Sequence, residues 1–448
     1  MPPMSSYRPF HQPTPHSDSN DLGVVARAWA VRILFRWLKN GEFPDTNFDR
    51  MGVPPEVRGF TTDLVYTTIR WHGLLDAALK LLIERRPSWD AEAAIVLGLC
   101  QLLKMPDIPA YAAIHATVEA AKVVGNRRTP IGLINAALRN ADKFHRDLEE
   151  ELAKAPLNVR VSHPADLVRR WAETWGVERA EAICRWDNEP ADVVLVTLPG
   201  GPSAPEIAAS LAADGIATEP LADFPGTALR LSHGHRVEEL PGFQKGEFTV
   251  QDPSTLAAVD LLDVRPGLRI LDACAAPGGK AARIARTMAG EGQLVAMELH
   301  EDRLRSLETT IRRLVPEMDA FVEVRAGDAS QATADALGGA FDRILLDVPC
   351  SNTGVLRRRV DARWRLDPER LSKVRVSQRF ILDNAANLLA PGGRIVYSTC
   401  SIDPRENAEQ IDAFLANHPD FHLVESRLNL PGEHGADGSF AAALERGL

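Results

Sequence analysis

Several features that mark other classes of protein are scarce in this chain of 448 residues. No stretch approaches the roughly 20 consecutive apolar residues that a membrane-spanning helix needs, and the first residues lack the apolar core of a secretory signal. The five cysteines include no Cys-x-x-Cys pair, which argues against a zinc site, and their odd number argues against a disulfide framework. These absences predict a cytoplasmic protein that binds neither a membrane nor a metal ion.

The chain also has fewer basic than acidic residues. It contains 51 Lys and Arg residues and 61 Asp and Glu residues, which gives a net charge of −10. This balance argues against a general nucleic-acid coat protein, which would be basic overall. It leaves room for local basic strips, such as Arg357, Arg358 and Arg359 followed by Arg363 and Arg365. The apolar content of 45% and charged content of 25% are typical of a globular protein.

The pattern changes along the chain and predicts several domains. Residues 1–20 are rich in Pro, Ser and His and indicate a disordered tail. Residues 21–150 show apolar positions at three- and four-residue steps, which predicts an all-α domain with a buried helix over residues 93–103. Residues 151–249 mix helix and strand patterns and indicate a small α+β module. Residues 250–448 form the last predicted domain.

In that last domain, strand and helix patterns alternate, which predicts a parallel sheet with helices on both faces. Ligands of such sheets bind beyond the carboxyl ends of the strands. The predicted strands are residues 269–273, 294–298, 321–325, 343–347 and 394–398, and the predicted helices are residues 280–288, 302–314, 369–389 and 406–416.

A glycine loop, residues 274–280, follows the first of these strands and leads into a helix. Its small residues allow a ligand to approach the backbone, and the start of the next helix favours a negative group such as an amino-acid carboxylate. The phosphate-loop signature is absent, since Ala281 follows the lysine. The loop consists of Cys274, Ala275, Ala276, Pro277, Gly278, Gly279 and Lys280.

Chemically active side chains stand at the ends of the following strands as well. Glu298 could accept hydrogen bonds from ribose hydroxyls, and Asp328 is a similar candidate for an adenine ring. Asp347 and Cys350 end the fourth strand and Cys400 ends the fifth. Each cysteine alone would be read as core packing. Two thiols at neighbouring strand ends, one of them beside a carboxylate, instead indicate a reactive cleft, in which a cation such as Lys280 could activate a thiol.

These strings resemble the signatures of the Nop2/Sun family of RNA 5-methylcytosine methyltransferases. The matching strings are Asp-Ala-Cys-Ala-Ala-Pro-Gly-Gly-Lys at residues 272–280, Asp-Val-Pro-Cys-Ser at 347–351 and Thr-Cys-Ser at 399–401. The helical region resembles the NusB-type RNA-binding fold, through residues 64–71, 110–114 and 135–139. That fusion is similar to the bacterial 16S ribosomal RNA cytosine-5 methyltransferase group called RsmB or Sun.

The resemblance implies an S-adenosylmethionine-dependent enzyme with a Rossmann-like C-terminal domain that methylates carbon 5 of a cytosine in 16S ribosomal RNA. The nucleophile falls on Cys400, and a second cysteine that helps to release product falls on Cys350. Asp347 would contact both the cytosine and the cofactor. The other implied cofactor residues are those of the glycine loop, Glu298 and Asp328. The loop from Leu356 to Asp361 departs from the family pattern and is expected to meet RNA.

Three alternatives stay open. The substrate could be a tRNA, or it could be DNA, although DNA enzymes use the Pro-Cys thiol and the presence of Cys400 favours RNA. The chain could also be a non-catalytic RNA-binding factor in ribosome assembly with a vestigial methyltransferase fold. The intact thiols, Asp347 and the glycine loop argue against that last interpretation. We expect a monomer that meets its RNA before or during assembly of the small subunit.

Overall fold

The computed structural model describes residues 21–125, 127–232 and 234–447, so the predicted tail of residues 1–20 lies outside the described residues. It divides into two compact units, Met1–Cys184 and Arg185–Leu448. In the part of the chain that is described, no helix is both long enough and apolar enough to cross a membrane.

Every helix or strand described in the first unit is a helix, as the pattern predicts for residues 21–150, and the helices continue through the part of the predicted α+β module that lies in this unit. Its central helix, α5, is buried at every position from Ala91 to Gln101, which confirms the predicted buried helix. Gly98 allows a close approach to α7, because a Cβ there would lie 2.4 Å from a methyl carbon of Leu138. The helices are α1 Leu22–Asn40, α2 Pro44–Met51, α3 Pro55–Arg70, α4 His72–Leu82, α5 Trp89–Lys104, α6 Ala110–Val124, α7 Ile131–Lys143, α8 His145–Ala153, α9 Leu157–Arg160, α10 Ala165–Trp175 and, crossing into the second unit, α11 Val177–Asp187.

The second unit begins with a small antiparallel sheet of order β2-β3-β1-β4, against which helix α12 packs. The sequence predicts β1, β3 and α12, whereas β2 and β4 are only three residues long and escape a pattern of alternation. Leu195, Leu211, Leu229 and Phe248 form the core between sheet and helix. The elements are β1 Val194–Thr197, α12 Ala204–Ala213, β2 Thr218–Pro220, β3 Ala228–Leu231 and β4 Phe248–Val250.

A seven-stranded sheet of order β10-β11-β9-β8-β5-β6-β7 makes up the rest of this unit. The five predicted strands correspond to β5–β9 and pair in parallel, which confirms the predicted Rossmann-like core. The elements are α13 Leu256–Leu261, β5 Arg269–Asp272, α14 Gly279–Met288, β6 Gln293–Glu298, α15 Glu301–Leu314, β7 Val322–Ala326, β8 Phe341–Asp347, α16 Pro368–Leu388, β9 Leu389–Thr399, α17 Ala408–Asn417, β10 Phe421–Asn429 and β11 Ser439–Arg446.

The sheet continues at one edge with β10 and β11, which the sequence did not predict and which pair antiparallel. The sequence of β11, Ser-Phe-Ala-Ala-Ala-Leu-Glu-Arg, is rich in residues with low strand propensity. It forms a strand because its backbone is paired on both sides, with β9 and with β10. Its first six residues, Ser439–Leu444, are all buried.

The strand order places the site. From β5 the chain runs outward through β6 to β7, and it then returns to form β8 on the other side of β5. Such a reversal opens a crevice at the carboxyl ends of the central strands. The motifs identified in the sequence lie at this edge.

Candidate active site

The glycine loop owes its shape to Gly278, which caps α14 with a φ of +112°. A side chain there would be strained, since L residues rarely adopt this conformation. A Cβ at Gly278 would also lie 3.1 Å from Leu307 Cδ1 and 3.2 Å from Thr310 Cβ of α15. Glycine therefore allows the first turn of α14 to pack against α15 while its N-terminus opens towards the crevice.

A cavity of about 400 Å³ lies beside this loop and is large enough for a nucleoside-sized ligand. Most of the glycine loop faces it. Strand β4 and the residue after it also contribute to its wall, so the small sheet takes part in shaping the cavity. The lining includes Thr249, Val250, Gln251, Asp272, Cys274, Ala275, Ala276, Pro277, Gly279, Lys280 and Asp347.

The sequence reasoning missed Asp272 as a site residue. Its carboxylate is 1% exposed and lines the cavity, and neither oxygen accepts a well-aligned hydrogen bond from the described residues. Burial raises the pKa of Asp272 to about 7, the negative charge of Asp347 adds to the rise, and Lys280 opposes it. A buried carboxylate without a donor is rare in a folded protein. The signal for this site residue in the sequence was an acidic residue at the end of the first strand of the last domain.

Lys280 and Asp347 form an ion pair at the ends of α14 and β8. Lys280 Nζ lies 2.6 Å from Asp347 Oδ2, and the Ser398 hydroxyl donates to Asp347 Oδ1 at 2.9 Å. Burial lowers the pKa of Lys280, but the Asp347 carboxylate outweighs that effect and the pKa is raised overall. Lys280 therefore stays protonated beside Asp347 within the crevice.

The fold brings together the two cysteines that follow β8 and β9, as their positions in the sequence predict. Cys350 Sγ and Cys400 Sγ lie 3.1 Å apart, and Cys400 Sγ lies 3.2 Å from Asn352 Oδ1. The hydrogen bond with Cys400, together with burial, raises the pKa of Cys350 well above its usual range. Cys400 lines a second cavity that shares Lys280 and Asp347 with the first. The thiols thus adjoin the larger cavity.

The two remaining acidic candidates stand at the neighbouring strand ends. Glu298 is 3% exposed, and its Oε1 accepts backbone hydrogen bonds from Leu299 and His300 at 3.0 and 3.2 Å. Its Oε2 accepts none from the described residues, although the Arg303 guanidinium lies 3.5 Å away. Asp328 lies two residues beyond β7, and hydrogen bonds from Ser330 lower its pKa. Both positions agree with the expected edge of the sheet.

Contact between RNA and the loop from Leu356 to Asp361 stays a prediction, but Arg357 within this loop is buried. That guanidinium is 5% exposed, lies 4.2 Å from the centre of the Trp186 ring and forms a 3.0 Å ion pair with Asp192. Arg363 nearby is fully buried and donates to Asn188 at 2.7 Å. These arginines stabilise the fold of the second unit because their partners lie more than 160 residues away in the chain. Arg359 is the exposed member of the strip.

Comparison with known proteins agrees with this architecture. The family model described as 16S rRNA methyltransferase RsmB/F matches residues 259–445, and the NusB family model matches residues 24–143. The fold matches a crystal structure of PH0851 with a TM-score of 0.77 at 24% identity, covering 96% of this chain and all of the other. It also matches NSun6 from Pyrococcus horikoshii, solved with SFG, with a TM-score of 0.56 at 19% identity over 63% of this chain and 98% of the other.

The fold and the family model together define an S-adenosylmethionine-dependent methyltransferase joined to a NusB-type helical domain. A protein of Synechocystis named as a probable ribosomal RNA small subunit methyltransferase B is 32% identical over 450 residues, covering 94% of this chain and all of the relative. The enzyme of that name from Vibrio cholerae is 39% identical over 358 residues, covering 79% and 80%. The chain belongs to the ribosomal RNA small subunit methyltransferase B family.

Proposed function

We propose that this protein transfers the methyl group of S-adenosylmethionine to carbon 5 of a cytosine in 16S ribosomal RNA, through a covalent bond between Cys400 and the base. The observation that carries the proposal is the 3.1 Å pair of thiols beside the Lys280–Asp347 ion pair, next to the larger cavity. The names of the relatives support ribosomal RNA of the small subunit as the substrate.

The residues around the larger cavity fit the cofactor. The buried carboxylate of Asp272, whose oxygens lack a well-aligned donor among the described residues, is suited to accept hydrogen bonds from the amino-acid ammonium group. Glu298 has an oxygen without a hydrogen-bond donor in the described residues, which suits a ribose hydroxyl. The glycine loop would surround the methionine part, and Asp328 would meet the adenine ring. When bound, the cofactor supplies an electrophilic methyl group.

The thiol pair provides the nucleophile that activates the cytosine ring. Carbon 5 of cytosine is a poor nucleophile, and addition of a thiolate at carbon 6 makes it enamine-like. Lys280 offers a nearby positive charge that stabilises the thiolate of Cys400. As the adduct forms, ring nitrogen 3 takes up a proton from solvent, and Asp347, which already accepts hydrogen bonds from Lys280 and Ser398, would accept one from the new N–H. After methylation, loss of the carbon 5 proton breaks the bond to Cys400 and restores the aromatic ring.

The surroundings of the two cysteines favour Cys400 as the nucleophile. Cys400 lines the second cavity together with Lys280 and Asp347. Cys350 has a raised pKa because it shares a hydrogen bond with Cys400 and is buried, so it stays a neutral thiol at neutral pH. A protonated thiol suits a role in the release of product rather than in the attack on carbon 6.

Trapping the covalent intermediate tests these roles. Cys400→Ser should abolish methylation and give no RNA adduct, since a hydroxyl is a far weaker nucleophile than a thiolate. Cys350→Ala should attack and methylate the base and then stall, which leaves protein linked to methylated RNA as a slow band on a denaturing gel. The double variant should show no band. The reverse pattern, with Cys400→Ala trapped and Cys350→Ala inert, would assign the attack to Cys350.

The substrate is tested by transfer of a labelled methyl group to protein-free small-subunit RNA, to tRNA and to assembling particles. We expect transfer to 16S ribosomal RNA by a cytoplasmic, monomeric enzyme, and bisulfite sequencing of a strain without the protein would locate the missing 5-methylcytosine. Transfer to tRNA alone would change the substrate class. Absence of transfer to any RNA, with the cofactor bound, would favour a non-catalytic assembly factor.

A further inference from the structure

A carboxylate is buried where the two cysteine-bearing loops meet, and the mechanism above does not use it. Glu406 is 1% exposed. Its Oε1 accepts hydrogen bonds from the hydroxyls of Ser351 and Ser401, the latter at 2.8 Å. Ser351 directly follows Cys350, and Ser401 directly follows Cys400. One oxygen atom therefore connects the residues next to both thiols.

The second oxygen of Glu406 completes the attachment. It accepts hydrogen bonds from the Ser351 backbone N–H at 2.8 Å and from Gln378 Nε2 at 3.0 Å. Gln378, on α16, also donates to the Pro349 carbonyl at 2.8 Å. Every group that meets the carboxylate is a donor, so the site is complementary to an ionised side chain that only accepts.

The two loops are also joined by direct hydrogen bonds between neutral groups. The backbone N–H of Gly354 donates to the Cys400 carbonyl at 2.9 Å, and the Ile402 N–H donates to Thr353 Oγ1 at 3.1 Å. The hydroxyls of Thr353 and Ser401 lie 2.8 Å apart, and Cys400 Sγ lies 3.2 Å from Asn352 Oδ1. Because a carboxylate holds its donors more strongly than a neutral acceptor does, Glu406 strengthens this junction beyond what those bonds supply and restrains the register of the two thiols.

We propose that Glu406 is a positioning residue that sets the separation of Cys350 and Cys400, and through it the attack and release steps. This inference rests on the proposed function in so far as the two thiols are the reacting groups. Its geometric part, the distance between the thiols, can be measured without RNA and without methyl transfer.

The test uses Glu406→Gln in the full chain. The amide of glutamine keeps one acceptor oxygen and places its two N–H groups where donors already point, so it cannot accept all four of the hydrogen bonds that Glu406 accepts. Oxidation by diamide reports the distance directly. Each thiol loses one hydrogen atom, a bond forms between Cys350 Sγ and Cys400 Sγ, and diamide is reduced to its hydrazine. The rate is followed by mass spectrometry of the linked peptides.

We expect cross-linking of Glu406→Gln to be at least tenfold slower than that of the natural protein. We also expect kcat for methyl transfer to fall at least tenfold, with the KM for S-adenosylmethionine within twofold. Glu409→Gln is the matched control, because it removes the same charge from an exposed position three residues away. It should leave both rates unchanged. Ser401→Ala removes one of the donors to Glu406 and should slow cross-linking several-fold. This variant tests the positioning role if Glu406→Gln does not fold.

Cross-linking at the natural rate by the folded Glu406→Gln protein, or by Ser401→Ala in its place, would overturn the inference. A KM for the cofactor that rises as much as kcat falls would also overturn it, since that would indicate general damage to the unit. A different outcome would contradict the proposed function. If the natural protein cross-links readily but methylates no RNA, the positioning role stands and the reaction is wrong.

Discussion

Replacing Asp272 by Asn should stabilise the cofactor-free protein and lower its affinity for the cofactor. The carboxylate is fully buried, accepts no well-aligned hydrogen bond from the described residues, and has a pKa raised to about 7 by burial and by the charge of Asp347. Asparagine has nearly the same shape and carries no charge. The substitution therefore removes an unfavourable buried charge with little change in packing.

The magnitude follows from linkage between protonation and folding. The folded pKa of about 7 lies above the reference value of 3.8 for Asp272, so the folded protein binds the proton more tightly than the unfolded chain. Stability is then greatest below the reference pKa and is lost as the pH rises to the folded pKa. At about 1.4 kcal/mol per pKa unit, the loss above neutrality reaches at most about 4 kcal/mol.

Urea unfolding followed by circular dichroism between about pH 5 and pH 8 measures the effect. Asp272→Asn should be more stable than the natural protein by up to about 4 kcal/mol at the upper end of this range, and by less than half as much at the lower end. Asp412→Asn, at an exposed position, should change neither value. A difference that does not vary with pH, or a variant that is less stable throughout, would refute this account of Asp272.

Calorimetry of the same variant should show S-adenosylmethionine binding weakened at least tenfold, because a hydrogen bond to a charged group contributes about 1.5–3 kcal/mol. Affinity within twofold of the natural value would separate Asp272 from the cofactor. A stabilised variant with weakened binding would show that the unpaired charge is kept for its ligand.

Three further outcomes test the rest of the site. Gly278→Val should cost about 1–3 kcal/mol of stability, because its φ of +112° is strained for a branched side chain, and should weaken cofactor binding; unchanged affinity by calorimetry in a folded variant would contradict the role of the loop. Lys280→Met should slow alkylation of Cys400 by iodoacetamide at least tenfold at neutral pH, because the thiolate loses its cation; an unchanged rate would show that Lys280 does not activate the thiol. A fragment beginning at Arg185, which keeps the cavity residues around Thr249, should bind cofactor but lose affinity for RNA in a filter assay, and undiminished RNA affinity would exclude recognition by the helical domain.

Much of the site was predictable because its motifs are local. A run of apolar residues followed by small or acidic ones defines the end of a buried strand, and β5, β6 and β8 end within one residue of the predicted positions. Parallel strands bring their carboxyl ends to one edge, so the meeting of Cys350 and Cys400 followed from the order of motifs. The buried helix α5 was likewise evident, since residues 93–103 are apolar nearly all round.

The tertiary structure decided the features that depend on distant partners. The Ala-rich β11 is a strand because β9 and β10 pair with it, and Arg357 is structural because Trp186 and Asp192 fold against it. Asp272 has a raised pKa because folding buries it beside Asp347, and Glu406 matters because two loops converge on it. Local sequence records the preferences of a side chain, whereas burial, pairing and pKa depend on neighbours that only folding brings within a few ångströms.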